Sequence, residues 1–76
     1  MISELERVAL TRSVPEHGLE AGDVGTVVAV HENGRGYTIE FMTLAGKTHA
    51  IATLHADAVR PVRPREIAHV REVAAA

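Results

Sequence analysis

The segment Val24–His31 constrains the fold most, because it is rich in valine and carries a glycine near its start. Branched side chains favour extended chain, whereas Gly25 within such a run indicates a β-bulge or a sharp bend. Val27 and Val28 are adjacent, so they cannot both face one core on a flat strand. We therefore expect a strongly bent strand of the kind found in a small β-barrel.

A tight hairpin is predicted directly after this strand. Asn33 and Gly34 form the dipeptide that most strongly indicates a short β-turn between two strands. The strand that follows alternates cleanly, with Tyr37, Ile39 and Phe41 on one face. Because these include both aromatic residues of the chain, we expect this face to carry the densest core packing.

The rest of the first sixty residues completes an all-β pattern. A loop rich in Pro, Gly and acids, residues 13–23 (the first loop), precedes the valine-rich strand, and we expect Leu19 to fold back onto the core. One helical turn is predicted over residues 55–58. Pro61 marks the last strand as an edge strand. The predicted strands cover residues 5–11, 24–31, 37–42, 48–54 and 59–62.

This order of strands, loops and one late helical turn is that of a five-stranded SH3-like barrel, which we assign to residues 1–63. The composition then changes to an Ala-rich tail without glycine, residues 64–76. Ile67, Val70 and Val73 are spaced by three, which suits one stripe of a helix, and Pro64 fits the first helical turn. We expect a short helical tail, with a partly disordered tail as the alternative.

Small size limits the chemistry available to this chain. With 76 residues it buries a small core, and such domains usually gain stability from disulfides, metals or oligomerisation. The absence of Cys excludes disulfides, thiolate zinc sites and cysteine nucleophiles. The first residues are acidic and no long apolar segment follows, so we expect a cytoplasmic protein without a membrane span.

Four segments resemble a small bacterial family of unknown function (domain of unknown function family 4926), over roughly residues 4–62. The most specific of them reads AGDVGTV from Ala21 to Val27. The resemblance implies an SH3-like barrel and assigns no activity, cofactor or catalytic residue. The same pattern is more distantly similar to KOW-type modules and to accessory barrels of nitrile hydratase and photosystems, which mostly bind a large partner. The four segments are residues 5–11, 15–19, 21–28 and 56–62.

The residues give little support for catalysis. There is no P-loop, serine elbow or zinc-binding His-Glu-x-x-His motif, and Asp23 beside Gly22 reads as a turn residue. The five histidines do not have the sequence spacing that is typical of metal ligands. His49 and His55 fall at opposite ends of one predicted strand. We therefore expect no enzyme, no metal site within one chain and no cofactor. A symmetric oligomer could still bring copies of one histidine together.

The sequence favours a protein-interaction module that self-associates or docks on a partner protein, for instance as an antidote or an accessory subunit. An acidic first loop, an unpartnered apolar stripe and a small core all point to association. The predicted contact residues are Glu16, His17, Leu19, Glu20, Ile67, Val70 and Val73.

The alternative is a KOW-like barrel that binds nucleic acid through a basic cluster. The net charge of −2 and the lack of spare aromatic residues for base stacking count against it. The residues predicted to carry this alternative are Arg35, Arg60, Arg63 and Arg65.

Overall fold

A computed structural model describes residues 2–74 and shows five antiparallel strands in one sheet, in the order β4-β3-β2-β1-β5. Within these residues the only helical segments are single 3-10 turns at Pro15–His17 and Ala56–Ala58. The predicted all-β class and the late helical turn are therefore confirmed. The strands are β1 (Arg7–Leu10), β2 (Val24–His31), β3 (Gly36–Met42), β4 (Thr48–His55) and β5 (Val59–Pro61).

The hairpin between β2 and β3 forms where the sequence predicts it. Glu32, Asn33 and Gly34 all adopt positive φ angles, of 48°, 57° and 94°. Asn and Gly accept this left-handed conformation more readily than other residues. The turn closes with the N–H groups of Gly34 and Arg35 donating to the carbonyl of His31, at 3.0 and 3.1 Å.

The core lies on one face of the sheet, and β3 supplies its centre. Tyr37, Ile39 and Phe41 are buried as predicted, and Ile39 is completely inaccessible to solvent. Val27 from β2 pairs with Ile39 across the strands and is equally buried. The remaining core side chains are Ile2, Val8, Leu10, Val14, Leu19, Ala52, Ala58 and Val59.

The irregularity of β2 differs from its predicted position. The bulge lies between Val27 and Ala29, where Val28 is the extra residue, and not at Gly25, for which the sequence predicted a bulge or a sharp bend. The bulge turns Val27 inward and leaves Val28 40% exposed, which resolves the conflict between the two adjacent valines. Gly25 has another role: a Cβ there would lie 2.5 Å from Cγ2 of Ile39. The glycine therefore lets β2 approach the core side chains of β3.

The predicted C-terminal helix is also wrong over residues 64–74, which form one turn at 64–65 and otherwise run as irregular chain. Residues 75–76 lie outside the described part. A helix of this length is marginal in water unless an apolar face packs on a surface. Ile67 and Val70 find no such surface, since they remain 94% and 71% exposed. The spacing of three is thus present without the burial that would stabilise a helix.

Candidate interaction surface

Two apolar side chains of the first loop are buried in the core and hold the loop against the sheet. Val14 and Leu19 pair in an isolated antiparallel bridge and are both buried in the core. The fold-back of Leu19 is confirmed. Its side chain is only 3% exposed, although it lines the groove described below, and its contact role stays a prediction. Glu16, His17 and Glu20 lie exposed on the outside of the loop, where the predicted contact role needs them.

A second support for the first loop comes from β4. The β3–β4 register shifts so that His49 is the extra residue between Thr48 and Ala50. Its Nε2 donates a hydrogen bond to the carbonyl of His17, at 3.1 Å. Bulges commonly redirect a side chain in this way. His49 is therefore a loop-positioning residue, a role that its place in the sequence does not reveal.

Arg71 ties the tail to the first loop. Its Nε donates to Oδ1 of Asp23 at 2.9 Å, and its Nη2 donates to Oδ2 at 2.6 Å. The same Nη2 donates to the carbonyl of Gly18 at 3.1 Å, and Oε2 of Glu20 lies 3.6 Å from Nη1. A two-pronged guanidinium–carboxylate contact is the strongest ion-pair geometry available to side chains. Arg71 thus fixes the tail at a defined point over residues 18–23.

Asp23 is held in its charged form by this arrangement. Partial burial raises its pKa, but hydrogen bonds from Arg71 and from the N–H of Glu20 outweigh that effect, so the pKa falls below its ordinary value of 3.8. The hydrogen bond from Glu20 closes the turn into β2, which confirms the predicted turn role of Asp23. The contact with Arg71, 48 residues away in sequence, is an addition that local patterns do not show.

A second arginine contact fixes the start of the tail. Arg60 donates to both carboxylate oxygens of Glu66, at 2.8 and 2.6 Å, and the N–H of Arg63 donates to Glu66 at 2.7 Å. The hydrogen bonds from Arg60 and then Arg63 lower the pKa of Glu66 from 4.5 to about 2. The charge of Arg60 is therefore already paired within the chain.

The four arginines of the nucleic-acid alternative do not form one cluster. Arg60 is engaged by Glu66, whereas Arg63 and Arg65 are exposed in the segment that follows. Arg35 lies at the turn between β2 and β3, in a separate pocket. The structure thus leaves a smaller continuous basic surface than the sequence alone indicates.

Between the tail and the sheet lies a groove of about 1280 Å³. Its walls come from the start of β2, the end of β3 with the turn after it, and the tail, where Val73 is half-buried. Six large apolar side chains around it are 40–96% exposed. An exposed apolar cluster of this kind is a candidate surface for contact with another molecule. The six are Val24, Met42, Leu44, Val62, Ile67 and Val70.

The histidines do not converge on a metal site. Within residues 2–74, no group of three or more His, Cys, Asp or Glu side chains is placed to hold an ion. His31 and His55 do share a pocket at the β2–β3 turn, while His69 borders the groove. The described part of the chain also contains no helix long and apolar enough to cross a membrane.

The comparisons with known proteins concern the sheet. The model of a protein family described as Domain of unknown function (DUF4926) matches residues 4–61, from before β1 to the end of β5. No curated protein and no solved structure matches the chain. The match spans well over half of the chain, leaves the tail outside it, and agrees with the resemblance carried by residues 4–62. The chain belongs to the DUF4926 family of domains of unknown function.

Proposed function

We propose that this protein is a non-catalytic interaction module of the cytoplasm, which self-associates or docks on a partner protein through the groove. The observation that carries the proposal is the set of six apolar side chains left exposed around one depression. Burying them against another chain would supply the apolar burial that a domain of this size lacks.

We also propose that the sheet belongs to the SH3-like barrels. The strand order, in which β1 lies between β2 and β5, supports this, as does the 3-10 turn immediately before β5. The bulges in β2 and β4 support it further, because bulges bend strands enough to close a small sheet. A likeness of fold carries no function by itself, so the interaction proposal rests on the groove.

The tail forms the side of the groove that faces the sheet. Arg71 and Glu66 hold the tail at two points by charged hydrogen bonds, and the apolar residues between them, Ile67 and Val70, stay exposed. A partner that covers these two side chains together with Val24 would contact the tail and the sheet at once. The tail residues predicted as contacts from sequence are therefore part of this proposal, although they lie on irregular chain rather than on a helix.

The nucleic-acid alternative has weaker support. Arg60 is paired with Glu66, and Arg35 lies apart from Arg63 and Arg65. Nucleic-acid binding rests on several unpaired cations that contact successive phosphates, and such binding weakens steeply with salt. Retention on generic RNA that is lost as salt increases would favour this alternative over a protein partner.

Light scattering of the full chain, compared with a variant carrying Ile67→Asp and Val70→Asp, tests the proposal. Both side chains are exposed, so the substitutions leave the sheet intact. We expect a concentration-dependent increase in mass, or a complex with a partner recovered from the native host, that the double variant loses. Leu5→Asp is the matched control, because Leu5 is 78% exposed but lies outside the groove.

Two results would overturn the proposal. One is a monomeric wild-type chain whose recovered proteins are the same as those of the double variant. The other is association that Leu5→Asp abolishes as completely as the double variant does. Circular dichroism of all three proteins checks that each keeps the β-sheet, so that a loss of association is not a loss of fold.

A further inference from the structure

A second depression, of about 500 Å³, lies at the turn between β2 and β3 and shares no residue with the groove. Basic and hydroxyl side chains dominate its polar lining, and Glu32 is the carboxylate beside them. Because the two depressions are built from different residues, each can be tested without affecting the other. The lining residues are His31, Glu32, Arg35, Gly36, Thr53, Leu54 and His55.

The strand register explains why this depression is open. Gly36 on β3 pairs with His31 on one side and with His55 on the other. Directly paired residues share a face of the sheet, so the two imidazoles flank a position that has no side chain. Thr38, two residues along β3, continues the same face. Because Gly36 has no side chain, its backbone forms the bottom of the depression, with one histidine on each side.

Hydrogen bonds fix the polar groups along the bottom of the depression. Nε2 of His31 lies 2.7 Å from Oγ1 of Thr38, which lies 2.8 Å from Oγ1 of Thr53. When His31 donates to the hydroxyl of Thr38, and that hydroxyl donates to Thr53, the hydroxyl proton of Thr53 remains free to donate to a ligand. Three side chains on three neighbouring strands thus form one ordered chain of polar groups.

His55 is oriented from the other side. Its Nδ1 accepts a hydrogen bond from the N–H of Asp57 at 3.3 Å and lies 3.2 Å from Oδ1 of the same residue. In the neutral ring that accepts this hydrogen bond, the proton is on Nε2. Asp57 also contacts Arg12, at 3.2 Å, so its carboxylate is shared with a cation outside the depression. In that tautomer, Nε2 of His55 is a donor that none of these contacts uses.

We propose that this depression binds a small oxyanion of the phosphate class. Arg35 supplies a positive charge that forms no ion pair within residues 2–74, and His55 and Thr53 supply directed donors. Phosphate oxygens accept such hydrogen bonds, and arginine matches their geometry. A metal ion is the weaker reading, because no third ligating side chain joins the two histidines in the described part of the chain.

An NMR titration with inorganic phosphate, at ionic strength held constant with chloride, tests the site. We expect saturable shifts of the ring protons of His31 and His55, while His69 beside the groove stays unchanged. Glycerol phosphate should reproduce the effect, because it carries the same terminal phosphate group. Arg35→Gln should weaken the apparent affinity by roughly fivefold, as expected for loss of one exposed charge contact.

Arg65→Gln is the matched control, because Arg65 is an exposed arginine outside both depressions. The proposal is overturned if phosphate produces no saturable shift, if His69 shifts together with His31 and His55, or if Arg65→Gln weakens binding as much as Arg35→Gln. Saturable shifts with a single-stranded oligonucleotide but none with either phosphate ligand would also overturn it, in favour of the nucleic-acid alternative.

Discussion

In the sheet, Val8, Val27 and Ile39 are completely buried, whereas in the tail Ile67 and Val70 are 94% and 71% exposed. The sheet is therefore held together by apolar burial, and the tail is held on it by charged hydrogen bonds. Apolar burial is not screened by salt, whereas surface ion pairs contribute little and are screened. The tail should consequently come loose under conditions that leave the sheet folded.

The largest expected effect comes from shortening the same residue type in the two regions. Ile39→Ala removes a fully buried side chain from the centre of the core and should lower the free energy of unfolding by about 2–5 kcal/mol. Ile67→Ala makes the identical change in the tail and should alter it by less than about 0.5 kcal/mol. Urea denaturation of both variants measures the difference, and equal losses would refute the contrast.

A smaller effect is expected at the close approach of β2 to β3. Gly25→Ala places a Cβ 2.5 Å from Cγ2 of Ile39 and 2.9 Å from the ring of Phe41, and should cost about 1–3 kcal/mol. Combining it with Ile39→Ala removes Cγ2 of Ile39, the closer of the two clashing groups. The double variant should therefore lose less stability than the sum of the two single losses. A strictly additive double-mutant cycle would show that the clash is relieved elsewhere.

Releasing the tail should affect order more than stability. Arg71→Gln removes both charged contacts with Asp23 and should leave the urea midpoint of the sheet nearly unchanged, because exposed ion pairs contribute little to folding. The heteronuclear NOE of residues 67–74 should fall to values typical of flexible chain. Arg65→Gln, which removes an exposed arginine from the same segment, should leave these values unchanged. If the NOE values of the tail were unchanged in Arg71→Gln, other contacts would be holding the tail in position.

The smallest effect is a pH dependence confined to the tail. The folded-state pKa of Glu66 is lowered from 4.5 to about 2, so its contribution is complete above pH 4.5 and is lost as the pH falls toward 2. The lowered pKa of Asp23 acts in the same direction, below its ordinary value of 3.8. Tail amide resonances should therefore move toward random-coil positions on acidification from pH 4.5. If the tail amide resonances moved toward random-coil positions on raising the pH instead, the carboxylates of Glu66 and Asp23 would not be the groups that hold the tail.

The sheet could be predicted because its determinants are local. Alternation placed Tyr37, Ile39 and Phe41 inside, and the Asn33-Gly34 pair specified the hairpin. A glycine within a strand is compatible with a bulge, a sharp bend or the close approach of another part of the chain, so the sequence alone does not locate the bulge of β2. At Gly25 the reason is the close approach of side chains from β3, and this contact is known only from the three-dimensional structure.

The tail and its contacts could not be predicted in the same way. A spacing of three between Ile67, Val70 and Val73 is compatible with a helix, but a helix also needs a surface for its apolar face. The contact between Arg71 and Asp23 joins residues 48 positions apart, and no local pattern reports such a pairing. Sequence reasoning therefore found the residues that border the groove but not the conformation that presents them.

The two outer strands of the sheet are unequal, and this limits how the protein can assemble. β5 has three residues and contains Pro61, which lacks an N–H group, whereas β4 has eight residues and has β3 as its one neighbour within residues 2–74. Among the described strands, β4 is therefore the better edge for a copy that adds by main-chain hydrogen bonds. Addition through β4 alone would end at a symmetric pair, whereas growth into a fibre would require β5 as a second edge.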